Sequence, residues 1–364
     1  MAERLPSAKP ELEEIPFGGS RPASGSERVH SSYLVYGLRI ASDRPVPGLT
    51  EAYVPQADLF LSLTIEPDWL ISANRLPAAQ RLERRGSNEH DDPTFVLTTL
   101  GQEEFFRLEY SDGACFVLDR NATRLWGSFL PPLTIEDLST YLLGPVLGFV
   151  LRRRGVMALH ASCVAAGDHA VVLAGPSEAG KSTTAGALAL QGERILCEDI
   201  VPLIEKNAQY FVEPGYPRVC LWPDSVQKLL GASDALPLLT PNWEKRYLPL
   251  ENGRGKFCGE RLPLGAIFIF GARVADGNAP RIEPLSRREA LLELVQNTYM
   301  NFLLDRTQRA AEFEALTQLV GRVPIQRIVP HADAERLPAM CDLLLENAQH
   351  LLGTAQPVSE ILRA

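Results

Sequence analysis

The sequence predicts an α/β protein in which a β-rich N-terminal domain precedes a larger α/β domain with a phosphate-binding loop. Three observations predict this. Short β-forming runs separated by turn clusters fill the first third of the chain, a strand, a glycine loop and a helix follow one another near its middle, and helical patterns occupy its end. The 364 residues are 45% hydrophobic and 22% charged, as expected for a globular protein of about two domains.

The chain divides by composition into four segments. Residues 1–31 are rich in Pro, Gly, Ser and charge and predict a disordered tail. Residues 32–133 predict the β-rich N-terminal domain, residues 134–155 a linking helix, and residues 156–364 the domain that carries the phosphate-binding loop.

Turn-forming clusters separate the predicted strands of the N-terminal domain, which cover 33–40, 59–65, 94–99, 105–110 and 115–119. Ser111-Asp112-Gly113 is a hairpin signal between the last two of them. The domain is therefore expected to be mostly antiparallel. It contains no nucleophile–base pair and no metal-ligand spacing, so we expect it to serve packing or recognition.

Thr134 and Asp137 predict a capped helix over 135–153. Its apolar part contains Gly144 and Gly148, a spacing also found in membrane helices, and three arginines follow it. The apolar run is shorter than the roughly 20 residues that span a bilayer, and Pro145 interrupts it. We expect a buried helix with cations at its C-terminus.

The glycine loop reads Gly175-Pro-Ser-Glu-Ala-Gly-Lys-Ser182 and fits the phosphate-binding pattern G-x-x-x-x-G-K-[ST] without a mismatch. An apolar strand over 170–174 precedes it and an alanine-rich helix over 182–191 follows. This order supports a nucleotide site, because backbone N–H groups ahead of a helix N-terminus hold phosphates. The residues expected to bind the nucleotide are Gly175, Pro176, Ser177, Glu178, Ala179, Gly180, Lys181, Ser182 and Thr183.

The residue types in this loop also predict the cofactors, a nucleotide with β- and γ-phosphates and Mg²⁺. Lys181 can reach the β- and γ-phosphates, and the Ser182 hydroxyl can ligate the metal.

Two further candidates lie on either side of the loop. Two apolar runs joined by Gly167-Asp168 predict a hairpin that leads into the loop and carries His160. His160 is read either as an active-site group or as a core histidine. After the helix, Glu198-Asp199 lies between apolar residues, where an acid of a phosphate-loop protein approaches the metal and the γ-phosphate.

The remainder of the chain predicts strands and then helices. The expected strands cover 209–212, 264–271 and 325–329, and the expected helices cover 290–299, 306–320 and 332–348. Ser286 and Glu289 form a capping-box signature ahead of the first of these helices.

The sequence from His160 through the glycine loop to Glu198-Asp199 resembles the catalytic domain of the HPr kinase/phosphorylase family. The match covers residues 160–203. Other segments that recur in a wider group of HPr kinase-like proteins are 36–40, 138–148, 214–223 and Lys245-Arg246. Some members of that group phosphorylate a serine of a precursor peptide, including lasso-peptide precursors.

The resemblance implies a Mg²⁺- and ATP-dependent kinase acting on a hydroxyl, with a peptide or protein as partner. It implies that Lys181 contacts the phosphates, Ser182 ligates Mg²⁺, Asp199 is the base and His160 is its neighbour. Glu198 stays open as the alternative base or as a metal ligand. A carboxylate in hydrogen-bond reach of a serine hydroxyl would help it lose its proton during transfer.

Two departures from the family pattern limit the activity that the resemblance implies. Glu178 stands where the best-known members have glycine, and their arginine-glycine-leucine-glycine signature is missing. We therefore expect kinase activity without phosphorolysis. Arg218 and Arg246 are candidates for phosphate or substrate contact, or else ordinary structural arginines, and Glu213 is a possible second metal ligand.

The net charge of −9 argues against nucleic acid or acidic membrane as a partner. The six cysteines show no metal or disulfide spacing, which indicates a reducing, cytoplasmic setting. An oligomer remains possible. Two other functions stay open: a nucleotide-binding regulatory or scaffolding protein without transfer, and a small-molecule kinase.

Overall fold

The computed structural model describes residues 29–63, 65–85, 93–251 and 253–354. Residues 1–28 of the tail predicted over 1–31 lie outside the described residues. Residues 355–364, at the end of the last predicted domain, also lie outside them.

The protein is of the predicted α/β class. Its strands are β1 Ser31–Val35, β2 Leu38–Ser42, β3 Leu59–Ser62, β4 Ala78–Arg85, β5 Pro93–Leu100, β6 Phe105–Tyr110, β7 Cys115–Asp119, β8 Arg124–Ser128, β9 Met157–Ala166, β10 His169–Ala174, β11 Arg194–Cys197, β12 Ile200–Lys206, β13 Gln209–Val212, β14 Arg218–Leu221, β15 Arg246–Pro249, β16 Lys256–Phe257, β17 Leu262–Phe270, β18 Arg281–Pro284 and β19 Ile325–Val329. Its α-helices are α1 Asp68–Arg75, α2 Ile135–Tyr141, α3 Leu147–Arg153, α4 Lys181–Leu190, α5 Pro223–Leu230, α6 Arg287–Gln296, α7 Arg306–Arg322 and α8 Leu337–Thr354.

The N-terminal strands form one eight-stranded sheet in the order β1-β2-β3-β8-β7-β6-β5-β4. Most neighbours are antiparallel, as expected, but β3 is parallel to both β2 and β8. The single strand predicted over 33–40 is wrong, because Tyr36 and Gly37 form a turn with φ of 57° and 77° and split it into the hairpin β1–β2. The hairpin predicted at residues 111–113 is confirmed by the pairing of β6 with β7.

The continuous helix predicted over 135–153 is also wrong. It is broken into α2, a π-type turn at Leu142–Val146, and α3, because Gly144 leaves the helical region at φ −96° and ψ −106° and Pro145 cannot donate a backbone hydrogen bond. The predicted cap is confirmed: the Thr134 N–H donates to Oδ2 of Asp137 at 2.7 Å. The break brings Gly144 close to the site described below.

The arginines at the end of α3 tie the two halves of the chain together. Arg152 pairs with Glu312 of α7, while Arg154 donates through Nη2 to the carbonyls of Asp58 and Ala122 in the N-terminal domain. Within the described ranges, no helix is both long enough and apolar enough to cross a bilayer.

Five strands of the second domain close into a ring. β9 pairs with β12, β12 with β13, β13 with β17, β17 with β10, and β10 again with β9. The predicted hairpin β9–β10 is confirmed, and β10, β17 and β19 run parallel. The carboxyl ends of these three parallel strands therefore meet at one edge, where ligands commonly bind in α/β proteins.

Apolar residues of both halves share one core. Buried side chains of the N-terminal sheet and of the broken helix pack together with Ile200, Tyr216 and Tyr299 of the second domain. The N-terminal domain thus contributes to the packing beneath the site.

Candidate functional site

The glycine loop connects β10 to α4, as the sequence predicts. Its backbone uses the left-handed region three times, at Gly175 (φ 156°), Glu178 (φ 65°) and Gly180 (φ 109°). A side chain at Gly175 would lie 2.9 Å from Cβ of Phe270, so this position requires glycine for space as well as for conformation. Glu178 adopts a conformation that favours glycine, and a non-glycine residue held there stores strain.

Lys181 folds back over the loop. Its Nζ donates to the carbonyls of Gly175 at 2.8 Å and Pro176 at 2.9 Å, which leaves one of its three N–H donors for a ligand. Burial lowers the pKa of Lys181, while the carboxylates of Asp199 and Glu198 oppose this shift. The loop's first turn therefore holds the ammonium group between the backbone and the acidic pair.

Ser182 and Glu198 form the closest polar contact of the site. The Ser182 hydroxyl donates to Oε1 of Glu198 at 2.6 Å, and Glu198 is only 5% exposed. Burial raises the pKa of Glu198, and Lys245 opposes that rise. Conversely, burial alone would lower the pKa of Lys245, but Glu198, Cys220 and Asp199 together outweigh burial and the pKa is raised. Lys245 is thus an electrostatic partner of Glu198 that the sequence motifs did not assign to the site.

The two acids lie in one three-residue turn, which runs from Glu198 to Ile200. The Ile200 N–H donates to the carbonyl of Glu198 at 2.9 Å, and Asp199 between them has φ 70°, close to the rare and strained form of this turn. The turn lies where the chain passes from β11 to β12, both of which pair with β9. As a result, Glu198 reaches Ser182 and Asp199 reaches His160 on β9.

His160 lies beside Asp199, with 3.4 Å between Nε2 and Oδ1. Burial lowers the pKa of His160; Asp199 opposes this shift and Lys181 adds to it. The side chains of His160 and Asp199 are still about one third exposed, at 36% and 35%. A substrate can therefore reach this pair, in contrast to Glu198.

Tyr299 completes the surroundings of Asp199. Its hydroxyl donates to Oδ2 of Asp199 at 3.1 Å, and its ring stands edge-on to that of His160. Burial and the Asp199 carboxylate raise the pKa of Tyr299, so the phenol keeps the proton that it donates. The segment after α6 positions the tyrosine, because the Tyr299 N–H donates to the carbonyl of Ala158 on β9.

One glycine of the linking segment makes room for Tyr299. A Cβ at Gly148 would lie 2.3 Å from Cε1 of the tyrosine ring, whereas a Cβ at Gly144 would lie 3.9 Å from its hydroxyl, an ordinary contact. Gly148 thus lets the tyrosine approach a buried helix. The sequence motifs do not indicate which ring Gly148 accommodates.

The other basic candidates have different surroundings. Arg218 is 8% exposed and stacks between the rings of Tyr216 and Tyr247, with its guanidinium against Gly48 of the N-terminal domain. Arg246 donates through Nη1 to the carbonyl of Leu236 at 2.6 Å.

Glu213, the possible second metal ligand, pairs with Arg261 and packs against Gly37. It is therefore engaged in an ion pair in this structure.

The side-chain oxygens at this site suit Mg²⁺ better than a metal ion that is coordinated by protein ligands alone. Among the described residues, no three His, Cys, Asp or Glu side chains come together as a metal-binding cluster. Mg²⁺ usually takes one or two protein oxygens together with substrate phosphates and waters. The Ser182 hydroxyl and the buried Glu198 carboxylate supply two such oxygens beside the glycine loop.

Comparison with known proteins gives structural likeness only. A scan against protein-family models finds no match, and a search of curated proteins finds none. Among the solved structures that match, the chain is similar to the Hpr(Ser) kinase/phosphatase from Coxiella burnetii, with 14% sequence identity, coverage of 54% of this chain and 98% of that chain, and a TM-score of 0.27. The roles proposed below rest on the contacts within this chain.

Proposed function

We propose that the chain is an ATP- and Mg²⁺-dependent kinase that transfers the γ-phosphate to a hydroxyl, most simply a serine, of a peptide or protein. The observation that carries the proposal is that two consecutive acids differ in exposure and in hydrogen-bond partners. Glu198 is covered and bonded to Ser182, whereas Asp199 is accessible and held by His160 and Tyr299.

Asp199 is the better base of the two. A general base must come within hydrogen-bond reach of the proton that it accepts, and only the Asp199 carboxylate is open to an incoming hydroxyl. His160 and Tyr299 lie beside its two oxygens, so the carboxylate has a fixed direction. Its remaining lone pairs can accept the proton of the acceptor hydroxyl.

The transfer balances as follows. The acceptor oxygen forms a bond to the γ-phosphorus, the bond from that phosphorus to the β,γ-bridging oxygen breaks, ADP leaves, and the hydroxyl proton passes to Asp199. Lys181 lies at the end of the loop where it can neutralise charge on the transferring group. Ser182 and Glu198 would hold Mg²⁺, which when bound neutralises phosphate charge.

Two features support a peptide as the acceptor. The sequence resembles HPr kinase-like proteins, some of which phosphorylate precursor peptides, including those of lasso peptides. In addition, the exposed parts of His160 and Asp199 open to the surface rather than into a closed chamber.

The test uses labelled ATP, MgCl₂ and a pool of synthetic peptides with serine, threonine or tyrosine, followed by separation of peptide-bound from small-molecule label. We expect labelled peptide with the wild type. Asp199→Asn should bind ATP with a similar Kd and lose at least 100-fold in transfer rate. Wild-type transfer by Asp199→Asn would overturn the assignment, and nucleotide binding with no labelled product would favour a regulatory role.

A further inference from the structure

A cavity of about 550 Å³ adjoins the glycine loop inside the second domain. Its walls come from the carboxyl ends of β17 and β19, from β18, from the end of α6, and from Pro176 of the loop. The volume falls in the range of about 300–1,000 Å³ that is usual for ligand sites. None of the roles described above uses this space.

Hydrogen bonds link the cavity to the reacting end of the site. The Pro176 carbonyl in its wall accepts from Nζ of Lys181, the group that reaches the terminal phosphates. The Asn297 carbonyl accepts from the His160 N–H at 2.8 Å, and Asn297 also lines the cavity. The cavity therefore lies between the first turn of the loop and the strand that carries His160.

A second contact ties the glycine loop to the cavity wall. Arg273, which lies between the cavity residues Ala272 and Val274, donates to the carbonyls of Glu178 and Ala179 at 3.1 and 3.0 Å. The loop and the cavity wall are therefore held against each other.

The charges of the cavity favour a neutral, polar occupant. Arg281 is paired with Glu283 at 2.9 Å and Arg327 with Glu293 at 3.1 Å, so each cavity arginine has a carboxylate partner. A small charged metabolite needs an unpaired opposite charge to hold it in place. Peptide N–H and C=O groups can instead bond to such paired groups and to the side chain of Gln296 at the rim.

We infer that this cavity receives the short polar peptide segment that carries the acceptor hydroxyl. The inference rests on the proposed function. The junction of the two domains is the other place considered for the substrate. A cavity there, lined by Tyr36, Arg154 and Glu213, has only about 20 Å³, which leaves no room for a peptide.

The experiment uses a conjugate in which the γ-phosphate of ATP is joined to the serine oxygen of N-acetyl-Gly-Ser-Gly-amide. Binding of the conjugate and of ATP to the full chain is compared by calorimetry. The wild type should bind the conjugate at least tenfold more tightly than ATP. Two variants narrow the cavity from different segments of its lining, Gln296→Trp at the end of α6 and Ala272→Trp after β17. Both side chains are exposed, so neither substitution disturbs the core.

Both variants should lose the tenfold gain while their Kd for ATP changes less than twofold. The control Leu292→Trp, an exposed position on α6 outside the cavity wall, should keep the gain. The inference is overturned if both cavity variants still bind the conjugate more tightly than ATP. It is also overturned if the wild type binds ATP but binds the conjugate no more tightly. Absence of binding of both ATP and conjugate would instead contradict the proposed function.

Discussion

The hydroxyl of Tyr299 donates to Oδ2 of Asp199 at 3.1 Å, although one hundred residues separate them in the chain. The other oxygen of the same carboxylate faces His160. The tyrosine therefore acts through Asp199 by fixing the direction of its carboxylate. We regard it as a positioning residue of the proposed reaction.

Tyr299→Phe tests this role by removing one hydroxyl group. A hydrogen bond to a charged group contributes about 1.5–3 kcal/mol, so its loss should lower kcat by about tenfold or more. The KM for ATP should stay within twofold, because the Tyr299 hydroxyl donates to Asp199 and not to the glycine loop. Steady-state kinetics on a labelled peptide acceptor measure both constants.

Tyr141→Phe is the matched control for that substitution. The Tyr141 hydroxyl also donates to a carboxylate, that of Asp112 at 2.6 Å, but in the N-terminal half of the molecule. We expect unchanged kcat in this variant. An equal fall in kcat for both phenylalanine variants would show that the effect comes from stability rather than from the position of Asp199.

Gly148→Ala should displace the same ring by crowding. The added Cβ would lie 2.3 Å from Cε1 of Tyr299, and overpacking of this kind costs about 1–3 kcal/mol. We expect a lower free energy of unfolding in urea together with reduced kcat. Gly321→Ala, in α7 with open space at its Cβ, should instead be neutral or stabilise by up to about 1 kcal/mol. Equal effects of the two substitutions would contradict the crowding argument.

The parts of the site that are local in sequence could be predicted. The glycine loop, the hairpin at Gly167-Asp168 and the Ser286–Glu289 cap each depend on neighbouring residues, and the structure has the hairpin and the cap where they are expected. The roles of Lys181, Ser182 and Asp199 follow from a motif with known spacing, and they stay predictions until activity is measured.

The parts that depend on tertiary contact could not be predicted. Tyr299 has no local signal, because its proposed role depends on the carboxylate of Asp199, which lies in a turn far from it in the chain. The Gly144–Gly148 spacing resembles that of membrane helices and predicts a buried helix here, but it does not indicate that Tyr299 packs against Gly148. Tyr36 was read as a strand residue because tyrosine favours strands, yet its φ of 57° forms a turn that usually takes Asn or Gly.

Ser182→Ala should raise the requirement for Mg²⁺. It removes one proposed oxygen ligand and also takes away the hydrogen bond from Ser182 to the buried Glu198 carboxylate. We expect the Mg²⁺ concentration for half-maximal activity to rise at least tenfold at saturating ATP. Thr317→Ala, which removes a hydroxyl bonded only to a backbone carbonyl within α7, should leave the Mg²⁺ titration unchanged. An unchanged titration for Ser182→Ala would exclude the hydroxyl as a metal ligand.

His160 should make the stability of the protein depend on pH. Burial lowers its pKa below the ordinary value of 6.5, so between these two values the unfolded chain takes up a proton that the native protein does not. This contribution is fully favourable to the native state above about pH 6.5 and is lost as the pH falls toward the lowered pKa. In urea unfolding at pH 7.5, 6.5, 5.5 and 5.0, wild type should therefore lose more stability than His160→Gln as the pH decreases. If stability falls equally with pH in the two proteins, the histidine takes up its proton equally well in the folded and unfolded states. That result would contradict the lowered pKa of the imidazole beside Asp199.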